Sequence, residues 1–223
     1  MGKGGTDIGA TLSCCQEYPQ VKKFLFAFPL LVAVPLLAQI PKEVPGKADP
    51  ARVAAGTYAV EPTHTLIGWT VNHFGFTDYF GVFGSPTGTL KLDPAKPEAS
   101  TVSIDIPVTE VFVANARLTE NLKSANFFDT NRFATAKFVS TGVTVDGATA
   151  KIAGTLTIKG ITKPVTLDAK FTGAGINPFS KKETVGFSAT ATINRSDWAI
   201  TYLLPIVGDE VKLNIQAAFE KAA

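Results

Sequence analysis

The sequence predicts an all-β fold for residues 56–223: an antiparallel, eight-stranded barrel with one short helix. Three observations lead there. Apolar residues recur at every second position through most of that span. Turn-forming pairs such as Asp146-Gly147 and Lys159-Gly160 separate the runs. A single stretch, opened by Asn115 with Leu118 and Leu122 on one face, has helical spacing.

Composition narrows the classes. Of 223 residues, 45% are hydrophobic and only 18% charged, against a usual charged share of about 25%. A disordered or polybasic chain is excluded. Net charge is +2 without a long Lys or Arg run, so no broad basic face for nucleic acid is expected. The charge is uneven: residues 1–48 hold five lysines and three acids, while the remainder carries sixteen of each sign. Both cysteines, Cys14 and Cys15, also lie in the first part.

That first part reads as three pieces. Lys22-Lys23 precede a fifteen-residue apolar run, Phe24–Ala38, interrupted by Pro29 and Pro35. This fits a cleaved secretory signal at residues 21–38 and is short for a membrane span; a retained anchor is the alternative. Residues 1–20, polar and Gly-containing, read as a non-native extension upstream of a start at Val21. Residues 39–55, rich in Pro and Gly, read as a linker. Removal of the leader would leave no cysteine, and hence neither disulfides nor thiolate chemistry. A periplasmic or secreted protein is expected.

The strands follow in order. Ile67, Trp69, Val71 and His73 share one parity in the first. Phe74–Phe83 is an aromatic, Gly-hinged segment read as a loop, with Phe80 and Phe83 in it. Val102, Ile104 and Ile106 mark another strand, and Ile152, Leu156 and Ile158 the next. Val165, Leu167, Ala169 and Phe171 alternate with polar residues, as do Val185, Phe187, Ala189, Ala191 and Ile193. Val211, Leu213, Ile215 and Phe219 close the series. One apolar and one wettable face per strand means antiparallel sheet. A sandwich fits the same pattern, but long strands and short connections favour an up-and-down barrel. Eight strands can enclose packed side chains or one small ligand. Small Ala169, Ala189, Ala191 and Ala217 leave volume that Phe171, Phe187 and Phe219 line; ordinary taper packing is the alternative.

Five segments, in order, resemble the YceI-like family of exported, lipocalin-like proteins. They are Val60-Glu-Pro-Thr-His64-Thr-Leu-Ile-Gly-Trp69-Thr-Val-Asn-His73, Gly88-Thr-Leu-Lys-Leu-Asp-Pro94, Leu122-Lys-Ser-Ala-Asn-Phe-Phe-Asp129, Gly154 through Leu167, and Ile193-Asn-Arg-Ser-Asp-Trp198. Val207-Gly-Asp-Glu-Val211 then opens the last strand, and the resemblance runs from about Gly56 to Phe219. It implies a barrel whose apolar pore holds a polyisoprenoid or similar amphiphile, with no established reaction. The family often has Phe at Trp69, His at Asn121, Pro at Ala134, and basic residues near Phe80 and Val82. The last difference makes this rim more apolar and argues against a specific contact to an anionic lipid head.

The expected ligand-binding set is Ile67, Trp69, Val71, His73, Phe80, Phe83, Phe127, Phe128, Phe171, Phe187, Ala189, Ala191, Ile193 and Trp198. The helix and the Phe74–Phe83 loop are expected to form the entrance, with one of Phe127 and Phe128 plugging it and the other under the helix. No metal or cofactor is expected: His64 and His73 have opposite parity, and a site needs three or four ligands. Ser124, Ser188 and Ser196 lack a nucleophile-elbow pattern, so no catalytic residue is assigned. Glu120 and Asp129 read as helix-end and turn residues. Arg195 reads either as a pair with Asp197 or, less favoured, as a phosphate contact. The function expected is non-catalytic binding or transport of a long-chain isoprenoid lipid. An enzyme acting on such a lipid and a filled interaction module are the alternatives. Transient membrane contact and a homodimer are left open.

Overall fold

The computed structural model describes residues 42–222. The expected extension, the leader and the first linker residues lie outside the described residues. Within them, eleven strand segments form one antiparallel sheet: β1 (Gly56–Val60), β2 (Leu66–His73), β3 (Thr77–Phe83), β4 (Thr87–Leu92), β5 (Thr101–Pro107), β6 (Val111–Phe112), β7 (Thr135–Asp146), β8 (Thr149–Ile158), β9 (Ile161–Ile176), β10 (Glu183–Asn194) and β11 (Val207–Lys221). The one α-helix, α1 (Ala116–Lys123), starts where Asn115 Oδ1 accepts the Leu118 N–H at 3.0 Å.

Eleven segments make eight staves because the first three staves are interrupted. β1 and β2 both run antiparallel to β11, against residues 219–221 and 207–216 respectively. β4 and β3 continue each other against β1 and β2. β5 and β6 do the same against β4 and β3. The breaks sit side by side, and the Gly84 N–H still reaches Glu110 O at 3.4 Å across two of them. From β7 onward each stave pairs with the next, and β1 against β11 closes the ring. The closed barrel excludes the sandwich. It also leaves the main staves without free edges.

The alternation seen in the sequence sets the inner face. β10 registers Phe187, Ala189, Ala191 and Ile193 against Ala217, Ile215, Leu213 and Val211 of β11. Two bulges shift the phase: Thr141 is the extra residue in β7, and Thr172 in β9. Inward positions therefore pass from Ala136 and Phe138 to Val143 and Val145, and from Phe171 to Ala174. Lys159 and Gly160, at φ 50° and 75°, make the tight β8–β9 turn.

Part of the expected linker belongs to the fold. The Lys47 N–H and C=O pair with Ala174 at 3.1 and 2.9 Å. A 3-10 turn at Pro50–Arg52 follows, capped by Asp49. A Cβ at Gly175 would lie 2.3 Å from Pro45 O, so glycine there permits the strap to lie flat on β9.

Candidate functional site: a hollow barrel

Three packed clusters fill parts of the interior. One gathers Ile67, Trp69, Phe83, Val108, Val111, Val113, Leu122 and Ala136 beneath α1. A second, around Tyr58, Leu90, Val185 and Phe219, lies on the closing seam. A third sets Phe138, Leu156, Val165 and Ala191 about Trp198. Between them lies a cavity of ≈ 570 Å³. Its wall runs from Leu203 and Val207 at the α1 end to Pro97, Gly147 and Lys170 at the other. Inward residues such as Val143, Ile152, Phe171, Phe187 and Leu213 are only half-buried, which is what a hollow interior produces.

Of the expected set, Ile67, Trp69, Val71, His73, Phe83, Phe127, Phe128, Phe171, Phe187, Ala189, Ile193 and Trp198 all wall this cavity. Phe127 stacks edge-on against Tyr202 (5.5 Å between centroids), and Phe128 against Phe83 (5.2 Å). Both phenyl rings face the cavity, so neither is reserved for packing under the helix alone.

Two residues depart. Phe80 is 73% exposed and faces outward. The reason is that Thr77–Phe83 is a strand, not a loop: Tyr79, Gly81 and Phe83 point in, and Phe80 and Val82 point out. Only residues 74–76 form the turn. Phe80 and Phe83 have opposite parity, which the sequence already contained. Ala191 does face inward but is packed within the Trp198 cluster and does not reach the cavity.

Several wall residues lie outside the expected set. Ile152, Leu213 and Ile215 were on the alternating face, and Tyr79 shares the parity of Phe83. Val143 and Val145 alternate with Thr144 and Asp146, but the bulge at Thr141 puts them out of phase with Ala136 and Phe138.

Arg195 follows neither expected role. Its guanidinium donates to four backbone carbonyls: Gly208 (2.8 Å), Ile200 (2.8 Å), Tyr202 (2.9 Å) and Val207 (2.9 Å). Burial pulls it below the usual arginine range, while the charge of Asp209 opposes that shift. Asp209 itself accepts from the Ser196 N–H and hydroxyl at 2.8 and 2.7 Å. Asp197 takes no part, so the expected Arg195–Asp197 pair is not formed. Arg195 instead pins the loop that caps the barrel beside α1.

The other polar candidates disperse. Exposed His64 sits 2.6 Å from Glu61. Half-buried His73 stacks on Phe74 at 4.0 Å. Glu120 pairs with Lys123 and Asp129 with Arg132. Asn72 bonds Asp78 at 3.2 Å on the outside, whereas Asn121 of α1 faces the cavity. Among the described residues no three His, Cys, Asp or Glu side chains gather in a way that could hold a metal ion.

Comparison with known proteins agrees with this architecture. The chain is 39% identical over 141 residues to a UPF0312 protein of Pseudomonas putida, covering 63% of this chain and 73% of that one. A UPF0312 protein of Pseudomonas fluorescens is 38% identical over 152 residues, covering 67% and 79%. Among solved structures, the Campylobacter jejuni YCEI protein superposes with a TM-score of 0.59 at 26% identity, over 68% of this chain and 90% of that one. Burkholderia cenocepacia BcnA shares the fold at TM-score 0.62 and 22% identity, over 69% and 95%. A Saccharophagus degradans structure described as a polyisoprenoid binding domain shares it at 0.55 and 12%, over 76% and 100%. A model of the YceI-like domain matches residues 58–219, and the chain belongs to that family.

Proposed function

We propose that this protein is a non-catalytic container for a long-chain isoprenoid or similar amphiphile, working in the periplasm or outside the cell. One observation carries the reading: a closed barrel whose inner face surrounds ≈ 570 Å³ of almost wholly apolar space. That volume is typical of small-molecule sites, about 300–1,000 Å³. Each methylene buried there contributes roughly 0.8 kcal/mol, so a long chain is held with few polar contacts. Membership of the YceI-like family supports the same class of ligand. The wall offers scattered polar groups and no triad, which favours holding over turnover.

The capped end suits exchange with a lipid surface. Phe74, Phe76, Tyr202, Leu203 and Ile206 are all exposed around it, and Leu203 also lines the cavity. Native mass spectrometry of protein purified from its own host tests the proposal. A copurifying apolar ligand is expected. Reproducibly empty protein would overturn the container reading, and conversion of the bound lipid would turn it into an enzyme.

A further inference from the structure

Two chain segments meet at the capped end of the barrel, and neither carries a charge. One is the β2–β3 turn, Phe74-Gly-Phe-Thr77; the other is the cap loop, Ala199 to Val207. The Phe74 N–H donates to Ile206 O at 2.9 Å, which joins them into one surface. Phe76 is 86% exposed on it, and Phe74, Tyr202, Leu203 and Ile206 are exposed as well.

The fold holds these side chains outward. In the turn, the Gly75 N–H donates to Asn72 Oδ1 at 2.8 Å and the Phe76 N–H to His73 O at 3.1 Å. Phe74 and Leu203 sit at φ 60° and 62°, a conformation costly for a large side chain. Of the described non-glycine residues with positive φ, these two are the large apolar ones.

The surface is also continuous with the cavity wall. Leu203 belongs to both. Exposed Tyr202 stacks on Phe127 and exposed Phe74 on His73, and both partners wall the cavity. A second apolar group, Val44, Ile176 and Phe179, is exposed at the other end of β9 and β10. None of its members walls the cavity, and Lys181 and Lys182 follow Phe179 closely.

Exposed apolar patches mark protein or membrane contacts. Five exposed side chains on two turns are few beside the roughly 20–30 residues that a stable protein interface takes from each partner. Protruding aromatic residues without charge among them suit the interface of a bilayer. An apolar chain of the kind the cavity fits dissolves there rather than in water. Resting on the container reading, we infer that the β2–β3 turn and the cap loop dock together onto a lipid bilayer, with Phe76 inserting, and that the ligand passes beside Leu203.

The test uses protein purified from its own host and sedimentation with phosphatidylcholine vesicles. Wild type should bind them equally at low and at high salt, because the surface has no charge to screen. Phe76→Ser should bind about tenfold more weakly. Phe179→Ser, equally exposed at the far end, should match wild type. Farnesol uptake by delipidated protein without vesicles, read by native mass spectrometry, should be the same in all three, since neither Phe76 nor Phe179 walls the cavity. No vesicle binding, binding lost in high salt, or equal binding by Phe76→Ser overturns the docking while farnesol uptake keeps the container reading. Equal weakening by Phe179→Ser overturns it too, as general stickiness. So does a wild-type dimer that Phe76→Ser dissociates without any vesicle binding, which makes the patch a contact between copies. Farnesol uptake by none of the three overturns the container reading and, with it, passage beside Leu203, even where vesicles are bound.

Discussion

One hydroxyl of Thr65 serves both backbone groups of Ala218: it donates to the Ala218 carbonyl at 3.2 Å and accepts the Ala218 N–H at 3.0 Å. Thr65 is 3% exposed and lies at the gap between β1 and β2. There the first stave breaks, and the Thr65 hydroxyl shares the ladder of β11 with the Glu61 N–H.

Thr65→Val keeps the shape and removes the hydroxyl. The Ala218 N–H is then buried and unpaired; its carbonyl still accepts from the Glu61 N–H at 2.8 Å. A loss of about 1–3 kcal/mol in urea unfolding is expected, and Thr65→Ser should recover most of it. An unchanged valine variant would mean that water replaces the hydroxyl.

The same gap is sensitive to acid. Burial raises the Glu61 carboxyl and is the largest influence. Hydrogen bonds from the Thr63 hydroxyl, the His64 ring and the backbone N–H groups of Thr63 and His64 together outweigh it and hold the group below its ordinary value. A depressed carboxylate contributes its stability above the unfolded-state value and loses it as pH falls through the folded one. The advantage of wild type over Glu61→Gln should therefore be full near neutrality and fade below about pH 4. Urea midpoints measured across that range read it directly.

Arg195 should behave as a structural clamp. Lysine keeps the charge but presents its donors from one point and cannot reach four carbonyls. Arg195→Lys is expected to cost about 1–3 kcal/mol and to speed amide exchange across residues 199–207. A charge-only role predicts no such loss.

Neighbouring alanines on β10 separate hollow from filled interior. Ala189 lies between Ala169 and Ile215 and faces the cavity. Ala191 is packed against the Trp198 cluster. Ala189→Phe should fold and carry several-fold less lipid. Ala191→Leu overfills its site and should cost about 1–3 kcal/mol. Unchanged lipid content in folded Ala189→Phe would count against the cavity as the binding site.

Period-two alternation made most of the barrel legible, because each stave has one dry face. Phe80 was misplaced because Phe74–Phe83 is so aromatic that neither parity stands out. Its strand is fixed by pairing with β2, which no local pattern reveals. Arg195 was misread for a related reason. Its partners are backbone carbonyls, and these leave no trace in side-chain identity. The difference between Ala189 and Ala191 depends on how far Trp198 reaches across the interior. That reach is not a property of spacing along the chain.

Ring closure has a temporal consequence. Tyr58 meets Lys221 in the seam between β1 and β11, so the first and last staves are each other's neighbours. No enclosed interior exists until β11 has been made, and the loop to be closed is nearly the whole domain. Such closure is entropically demanding and kinetically late. Any sheet formed before that step is open and one-sided, with its Phe-rich face uncovered. An apolar chain lying on that face at closure would be enclosed. For a container of this design, assembly and first filling can be a single event.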